Sequence, residues 1–210
     1  MSSSSVFGYD GKFIKVTDKV FNVIILSLFW IIGCIPILTI GVSTAATYAT
    51  AVKVIKQDEG YLFEQFVRSY RQNLKDGILL EIIFGIILFI LRLNISILST
   101  ETSGYMGLFF ICLYFLCSVY ITGMLCYVFP ALSRYDMSAG WMVKISMYMT
   151  GRYFLTTIML IFITISTVAI TMWIPYLILI MPGITALLHS EFLERVLKKH
   201  ELATQEEIKE

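Results

Sequence analysis

Charged side chains are scarce in this sequence. They make up 15% of its 210 residues, hydrophobic residues make up 58%, and the mean hydropathy is +0.80. A soluble domain of this size would carry roughly a quarter charged residues. Because so much apolar surface cannot be buried inside a soluble globule of this length, we expect the chain to lie in lipid.

The residues that most enzyme sites need are also scarce. With only two histidines, His189 and His200, no three-histidine or HExxH metal site can form. No GxxxxGK[ST] phosphate loop occurs, and the four cysteines lack metal-ligand spacing. A net charge of +1 provides no basic field to attract nucleic acid. We therefore predict no enzyme, no catalytic, cofactor or metal residues, and no nucleic-acid partner.

Long apolar runs are what the sequence has instead. The runs 21–38, 78–98 and 105–129 are each long enough to cross a bilayer as a helix. Between Tyr153 and Leu188 the chain stays apolar for 36 residues, which is too long for one crossing. The Trp173-Ile174-Pro175 break predicts two spans there, at 154–172 and 174–190.

Small side chains fill residues 40–55, which we name the small-residue segment. Serines and threonines alternate there with alanines, and such residues let helix backbones approach closely. This composition predicts a short second span folded back on the first. A helix lying in the membrane interface is the alternative.

Two polar stretches have the periodicity of amphipathic helices. Residues 61–75 place apolar side chains opposite Arg68, Arg71 and Lys75, and residues 131–152 repeat the pattern around Trp141 and Met142. Basic residues on the polar face are typical of helices that lie on the cytoplasmic membrane surface. We also expect the tail, 191–210, to leave the membrane as a helix.

The placement of Lys and Arg decides the predicted topology. With six spans, residues 1–19 form a cytoplasmic lead-in, both termini are cytoplasmic, and of the 16 Lys and Arg residues only Arg92 lies away from the inner side. With five spans, the small-residue segment being interfacial, Lys12, Lys15 and Lys19 would move outside. The sequence therefore predicts one all-α polytopic membrane bundle over 1–210, with six spans, or five in the alternative.

Nearly the whole chain, and its first third most specifically, resembles the YesL family of bacterial membrane proteins, a family of unknown function. The resemblance is carried by Trp30, Cys34–Gly41, Ser43–Ala46 with Tyr48, and Glu59–Tyr61 with Phe63, Phe66 and Gln72–Lys75, and it recurs more weakly in Pro182–Leu187 and Leu193–Leu197. It implies a multi-pass protein of the bacterial plasma membrane. It also implies a sugar-uptake context, because the family's members are often encoded beside sugar-importer subunits and their regulators.

Two functions remain open from the sequence. One is an accessory subunit of a bacterial carbohydrate ABC importer, or a membrane partner of its sensor. The other is an independent small permease with a polar path through the membrane, lined by Ser43, Thr44, Thr47, Thr50, Glu81 and Arg92. The oligomeric state is not predicted.

Three groups of residues are candidates for function. Six residues around the small-residue segment are expected to pack helices together: Pro36, Thr39, Gly41, Thr44, Ala45 and Tyr48. Six on the first amphipathic stretch are expected to dock a partner, the alternative being contact with lipid headgroups: Phe63, Phe66, Tyr70, Arg71, Asn73 and Lys75. The last two are the intramembrane charges Glu81 and Arg92, which lie about 16 Å apart along one helix and so cannot pair.

Overall fold

The computed structural model describes residues 12–101, 105–135 and 138–207. All regular structure in these ranges is helical, which confirms the all-α prediction. The seven α-helices are α1 (Lys12–Gly33), α2 (Ile40–Thr50), α3 (Leu62–Glu101), α4 (Tyr105–Arg134), α5 (Ala139–Arg152), α6 (Phe154–Trp173) and α7 (Met181–Glu207).

Four helical stretches are long and apolar enough to cross a membrane. They are Ile37–Lys56, Leu62–Thr100, Tyr105–Arg134 and Phe154–Trp173. The remaining two predicted spans, 21–38 and 174–190, fall on α1 and on the segment that leads into α7 together with the first ten residues of α7. The chain therefore has the composition and helix lengths of a membrane bundle, with four candidate spans in its described part.

α2 lies at the centre of the bundle, in contact with α1, α3, α4 and α7. Nine of its 11 residues are buried, because its alanines, serines and threonines leave room for neighbouring backbones. After Thr50 the helix widens into a π-helical turn, Ala51–Lys56. A polar turn follows, with positive φ at Asp58 (55°) and Gly60 (82°).

α3 corrects one prediction. The sequence predicted a surface helix over 61–75 and a separate span over 78–98, whereas the structure has one uninterrupted helix of 40 residues. Gly77, between the two stretches, allows α3 to pack closely against α2 and α4. A Cβ on Gly77 would lie 2.6 Å from Cγ2 of Val42 and 3.3 Å from Cδ2 of Leu132.

α4 and α5 correct a second prediction. The sequence predicted a span that ends at residue 129, just before Pro130, but Pro130 lies inside α4, which continues to Arg134. Pro130 removes one backbone donor, and the last turn keeps bonds from Tyr135 N to the Ala131 carbonyl (2.9 Å) and from Ser133 Oγ to the Pro130 carbonyl (2.8 Å). The amphipathic helix predicted over 131–152 is therefore shorter, Ala139–Arg152, with Met142 and Ile145 buried.

The predicted break after Trp173 is confirmed. α6 ends there, and Ile174 is extended (φ −129°, ψ 86°), as expected for a residue that precedes proline. A short 3₁₀ turn, Pro175–Leu179, leads into α7. As predicted for the tail, α7 continues without interruption to Glu207.

The outer halves of α3 and α4 form a pair that we name the apolar hairpin: residues 85–101 of α3 and 105–122 of α4. Among the described residues of the apolar hairpin, Gly107 is the only one that is buried. The buried residues of the three hydrophobic clusters lie outside these ranges, and of the described hairpin residues Ile121 alone packs against one of them, the cluster that contains Leu80, Phe84 and Met124. The apolar hairpin is thus outside the core of the bundle.

Candidate functional site

A cavity of about 470 Å³ lies among α1, α2, α4, α6 and α7. This volume falls within the range of about 300–1,000 Å³ typical of small-molecule sites. Most of its lining is apolar carbon, from residues such as Leu125, Phe129, Val168 and Met172. Seven threonines supply most of the polar atoms: Thr44, Thr47, Thr122, Thr164, Thr167, Thr171 and Thr185.

Six of the seven threonine hydroxyls donate to the carbonyl four residues earlier in their own helix. On α6, for example, Thr164 donates to Leu160 (2.9 Å), Thr167 to Ile163 (2.9 Å) and Thr171 to Thr167 (2.8 Å). The same pattern holds for Thr44, Thr122 and Thr185. Because a hydroxyl has one hydrogen, these groups offer the cavity acceptor oxygens rather than donors.

Thr47 is the exception among the cavity threonines. It is 2% exposed, and its Oγ1 has no hydrogen-bond partner in the described part of the chain. A buried hydroxyl without a partner is unfavourable. Thr47 therefore has both a donor and acceptor capacity to spare where it lines the cavity.

His189 adds a polar group on the α7 side. Its Nε2 lies 3.2 Å from Thr164 Oγ1, which in turn lies 3.9 Å from Sγ of Cys126. No group of three or more metal-ligating side chains occurs within the described ranges. These three residues form a small hydrogen-bonding cluster at the wall of the cavity.

The permease path predicted from the sequence is not assembled as one site. Thr44 and Thr47 line the cavity, but Ser43 donates to the Trp30 carbonyl (2.9 Å) and Thr50 to the Ala46 carbonyl (2.8 Å). Glu81 and Arg92 are not among the lining residues. The structure brings two of the six residues together.

The predicted helix-packing residues mostly lie at close contacts. Gly41, Ala45, Tyr48 and Thr39 are buried. Thr44 is half-buried and accepts a hydrogen bond from Nε1 of Trp30 (3.2 Å). Pro36 is exposed in the loop after α1, where its carbonyl accepts from Thr39 Oγ1 (2.6 Å).

Three of the predicted docking residues contact the chain itself. Phe66 is 6% exposed and its ring lies 5.6 Å from that of Phe29. Tyr70 donates from its hydroxyl to the Gly33 carbonyl (3.3 Å). Asn73 is 9% exposed and donates from Nδ2 to the Ser69 carbonyl (2.9 Å). These contacts give the three residues a role inside the fold.

The other three docking candidates are exposed. Phe63 is 65% exposed, although its ring also meets the edge of Phe29 at a centroid distance of 5.7 Å. Arg71 and Lys75 are exposed as well. Any partner that binds this part of α3 would therefore meet Phe63, Arg71 and Lys75.

Glu81 has a specific structural partner. Its Oε2 accepts a hydrogen bond of 2.8 Å from the backbone N–H of Gly41, in the first turn of α2. That turn has no side-chain cap of its own. The carboxylate from α3 thus takes the place of a capping residue for α2.

In the described part of the chain, three ion pairs join α1, α4, α7 and the segment that follows α2. Lys56 Nζ lies 2.9 Å from Glu191 Oε1, and Lys19 Nζ lies 3.9 Å from Asp58 Oδ1. Arg134 Nη1 lies 2.9 Å from Glu194 Oε1, which also accepts a bond of 3.1 Å from the Tyr48 hydroxyl. The hydrogen bond and charge of Lys56 lower the pKa of Glu191 below its usual value of 4.5.

Arg92 lies on the apolar hairpin and is exposed. No ion pair or hydrogen bond of its side chain occurs within the described ranges. Its neighbours along α3 are apolar and exposed, among them Phe89 (65%), Ile90 (51%) and Leu93 (45%). A permanent charge therefore stands on an apolar surface that the chain itself leaves uncovered.

The cavity residues of α6 and α7 were missed by sequence reasoning. Thr164, Thr167 and Thr171 recur at intervals of three and four, so they share one helix face, and this signal was present in the sequence. His189 had no such signal, because one histidine near the end of an apolar run does not indicate which helix it meets.

The comparison with known families covers the first part of the chain. A family model described as "Protein of unknown function, DUF624" matches residues 23–95, about a third of the 210 residues. No curated protein and no solved structure matches the chain. The match relates the second half of α1, α2 and most of α3 to a family of unknown function, and the YesL resemblance remains a resemblance.

Proposed function

We propose that this chain is a membrane partner of another membrane protein and acts as an accessory subunit of a carbohydrate ABC import system in the bacterial plasma membrane. The single observation that carries the partner role is Arg92, exposed on the apolar hairpin. The sugar-uptake context rests on the sequence resemblance alone.

A charge on a membrane-spanning surface calls for compensation. The cost of placing arginine at the bilayer centre is several kcal/mol, about 2.5–3.5 on insertion scales. Arg92 lies about 13 Å along the helix from Glu101, so its side chain either reaches towards the headgroups or meets an acidic group. A carboxylate on a partner helix would compensate the charge and cover the surrounding apolar residues at once.

The shape of the apolar hairpin supports the same proposal. Two long helices contact each other and leave large side chains uncovered on both, including Phe89 (65%), Phe109 (62%) and Leu116 (64%). Lipid covers such a surface without specificity. A partner helix would in addition bind Arg92 specifically.

The proposed topology has six spans with both termini cytoplasmic. The four candidate spans are supplemented by α1 and by the segment that leads into α7. The ion pairs Lys56–Glu191 and Arg134–Glu194 support a single polar end of the bundle, in agreement with the predicted inner side. Exposed Arg71 and Lys75 would then face the cytoplasm, where an importer's soluble subunit is available.

An independent sugar permease is the weaker candidate. Its predicted path is not assembled, and the cavity that is present is lined mainly by carbon. A sugar has many hydroxyls, and most of them would lose their hydrogen bonds to water there without replacement.

The experiment compares the partners that copurify with variants of Arg92. We expect Arg92→Leu to reduce recovery of a membrane partner at least tenfold, and Arg92→Lys to retain part of it, because a lysine keeps the charge but not the planar fork. Arg152→Leu removes an exposed arginine at the end of α5 and is the charge-matched control. Equal recovery with Arg92→Leu and Arg152→Leu, at equal expression, would remove the basis of the proposal.

A further inference from the structure

The chemistry of the cavity restricts what it can hold. No Asp, Glu, Lys or Arg is among the residues that line it in the described part of the chain. An ionised ligand would be buried without a counter-charge, which is strongly unfavourable. The ligand must therefore be uncharged and mostly apolar.

Thr47 indicates that the ligand also carries a polar group. Thr47 lines the cavity, and its almost completely buried hydroxyl has no hydrogen-bond partner among the described residues. A ligand hydroxyl placed there could accept from Thr47 and donate to the oxygen of Thr44, one turn away on the same helix. The Thr44 hydroxyl hydrogen is already donated to the Ile40 carbonyl, and its oxygen, which accepts from Nε1 of Trp30, has a second lone pair for the ligand.

The opening of the cavity indicates where the ligand comes from. Three of its lining residues are apolar and open to the outside of the bundle: Val168 (53%), Met172 (79%) and Ile178 (39%). They lie on α6 and the following 3₁₀ turn, a surface that lipid would contact. A molecule dissolved in the bilayer could enter there without crossing water.

We propose that this cavity is a binding site for an uncharged single-chain amphiphile taken from the bilayer, with a hydroxyl head at Thr47 and an apolar chain along α6 and α7. The site shares only Thr122 with the apolar hairpin, at the inner end of that pair, and does not depend on the partner role of Arg92.

The test is photolabelling of the full chain in liposomes of phosphatidylethanolamine and phosphatidylglycerol. A long-chain alcohol with a diazirine in its chain is the label, and mass spectrometry locates the adducts. We expect saturable labelling of peptides that contain Thr167, Thr171 or Thr185. Excess dodecanol should compete, whereas dodecanoate, which carries a charge, and glucose should not.

Two isosteric variants of α2 separate the proposal from unspecific lipid contact. Thr47→Val removes the unpaired hydroxyl and should weaken competition by dodecanol about two- to tenfold, the effect of one hydrogen bond. Thr50→Val lies within one turn, is equally buried and is outside the cavity, so it should leave competition unchanged. Unfolding curves in detergent verify that both variants are folded.

Three results would overturn the proposal. One is labelling that does not saturate, or that is no stronger in the cavity than on the apolar hairpin. Another is equal competition by dodecanol and dodecanoate. The third is an identical response of folded Thr47→Val and Thr50→Val.

Discussion

The Glu81 carboxylate bonds the backbone N–H of Gly41 at 2.8 Å, across 40 residues of chain. The contact joins the middle of α3 to the start of α2, the most buried helix of the bundle. A charged residue inside an apolar run is often functional. Here the structure provides a local reason for it, because the first turn of a helix has free N–H groups and a partial positive charge.

We predict that Glu81→Leu destabilises the protein by about 1–3 kcal/mol, because it leaves the Gly41 N–H buried without an acceptor. Glu81→Gln should cost less, since the amide oxygen can still accept. The midpoint of thermal unfolding in detergent measures both. A Glu81→Leu protein that is as stable as wild type would show that the contact contributes nothing.

Glycine substitutions test the close packing of α2. A Cβ at Gly41 would collide with the ring of Phe129, so Gly41→Ala should destabilise by about 1–3 kcal/mol. Gly85 is the matched control, because nothing lies within 4 Å of its Cβ position. There alanine should be neutral or stabilising by up to about 1 kcal/mol. Similar unfolding midpoints for the two variants would contradict the packing described for α2.

The structure also changes which substitution can serve as the tolerant control. The sequence alone predicts that Val42→Leu destabilises the protein less than Ala45→Leu does. Val42 is in fact fully buried and in contact with Gly77. Both substitutions should therefore disturb the core, and Gly85 replaces Val42 as the tolerant site.

The pair between Lys56 and Glu191 predicts a pH dependence of stability. The pKa of Glu191 is lower in the folded protein than its usual 4.5, so the pair stabilises the fold above that value. The contribution is lost as the pH falls through the lowered folded pKa. We expect Glu191→Gln to unfold earlier than wild type at neutral pH, with the difference vanishing on acidification and shrinking in high salt.

Lys56→Met should lower the unfolding midpoint at neutral pH by about as much as Glu191→Gln does. The double variant should be no less stable than either single variant, because both substitutions break the same ion pair. Unfolding midpoints in detergent, measured across pH 4.5, test this. A difference that persists at low pH would assign the effect of Glu191→Gln to something other than its charge.

Trp173 and Gly77 illustrate which features of the fold could be predicted from the sequence and which could not. The break after Trp173 was predictable because proline restricts the residue before it, which is a property of three neighbouring residues. The continuity of α3 through Gly77 was not, because that glycine has its reason in Val42, on another helix. Asn73, a predicted docking residue, is 9% exposed; its hydrogen bond to Ser69 lies within α3, whereas its burial depends on the neighbouring helices.

The cavity could be predicted from the sequence only in part. The spacing of Thr164, Thr167 and Thr171 places them on one face of α6, and that much can be read from the sequence. That this face meets Thr44 and Thr47 of α2 depends on how five helices pack. No local pattern carries that information.

The proposed topology predicts which positions an impermeant thiol reagent reaches. After replacement of the four native cysteines, a cysteine at Ser103, which lies outside the described residues, should be labelled from outside the cell. Cysteines at Gln72 and Ser138, both exposed, should not be labelled. A cysteine at Ser4, also outside the described residues, separates six spans from five. Labelling there from outside would establish the five-span alternative.

The partner role of the apolar hairpin is the central claim, and photo-crosslinking in living cells tests it most directly. Benzoylphenylalanine is placed at Phe89 or Phe109 on the apolar hairpin, or at Phe162 on α6, three phenylalanines of similar exposure (65%, 62% and 68%). The account predicts a discrete protein adduct from Phe89 and Phe109, lost when Arg92→Leu is added, and only lipid adducts from Phe162. Lipid adducts alone from all three positions would contradict it.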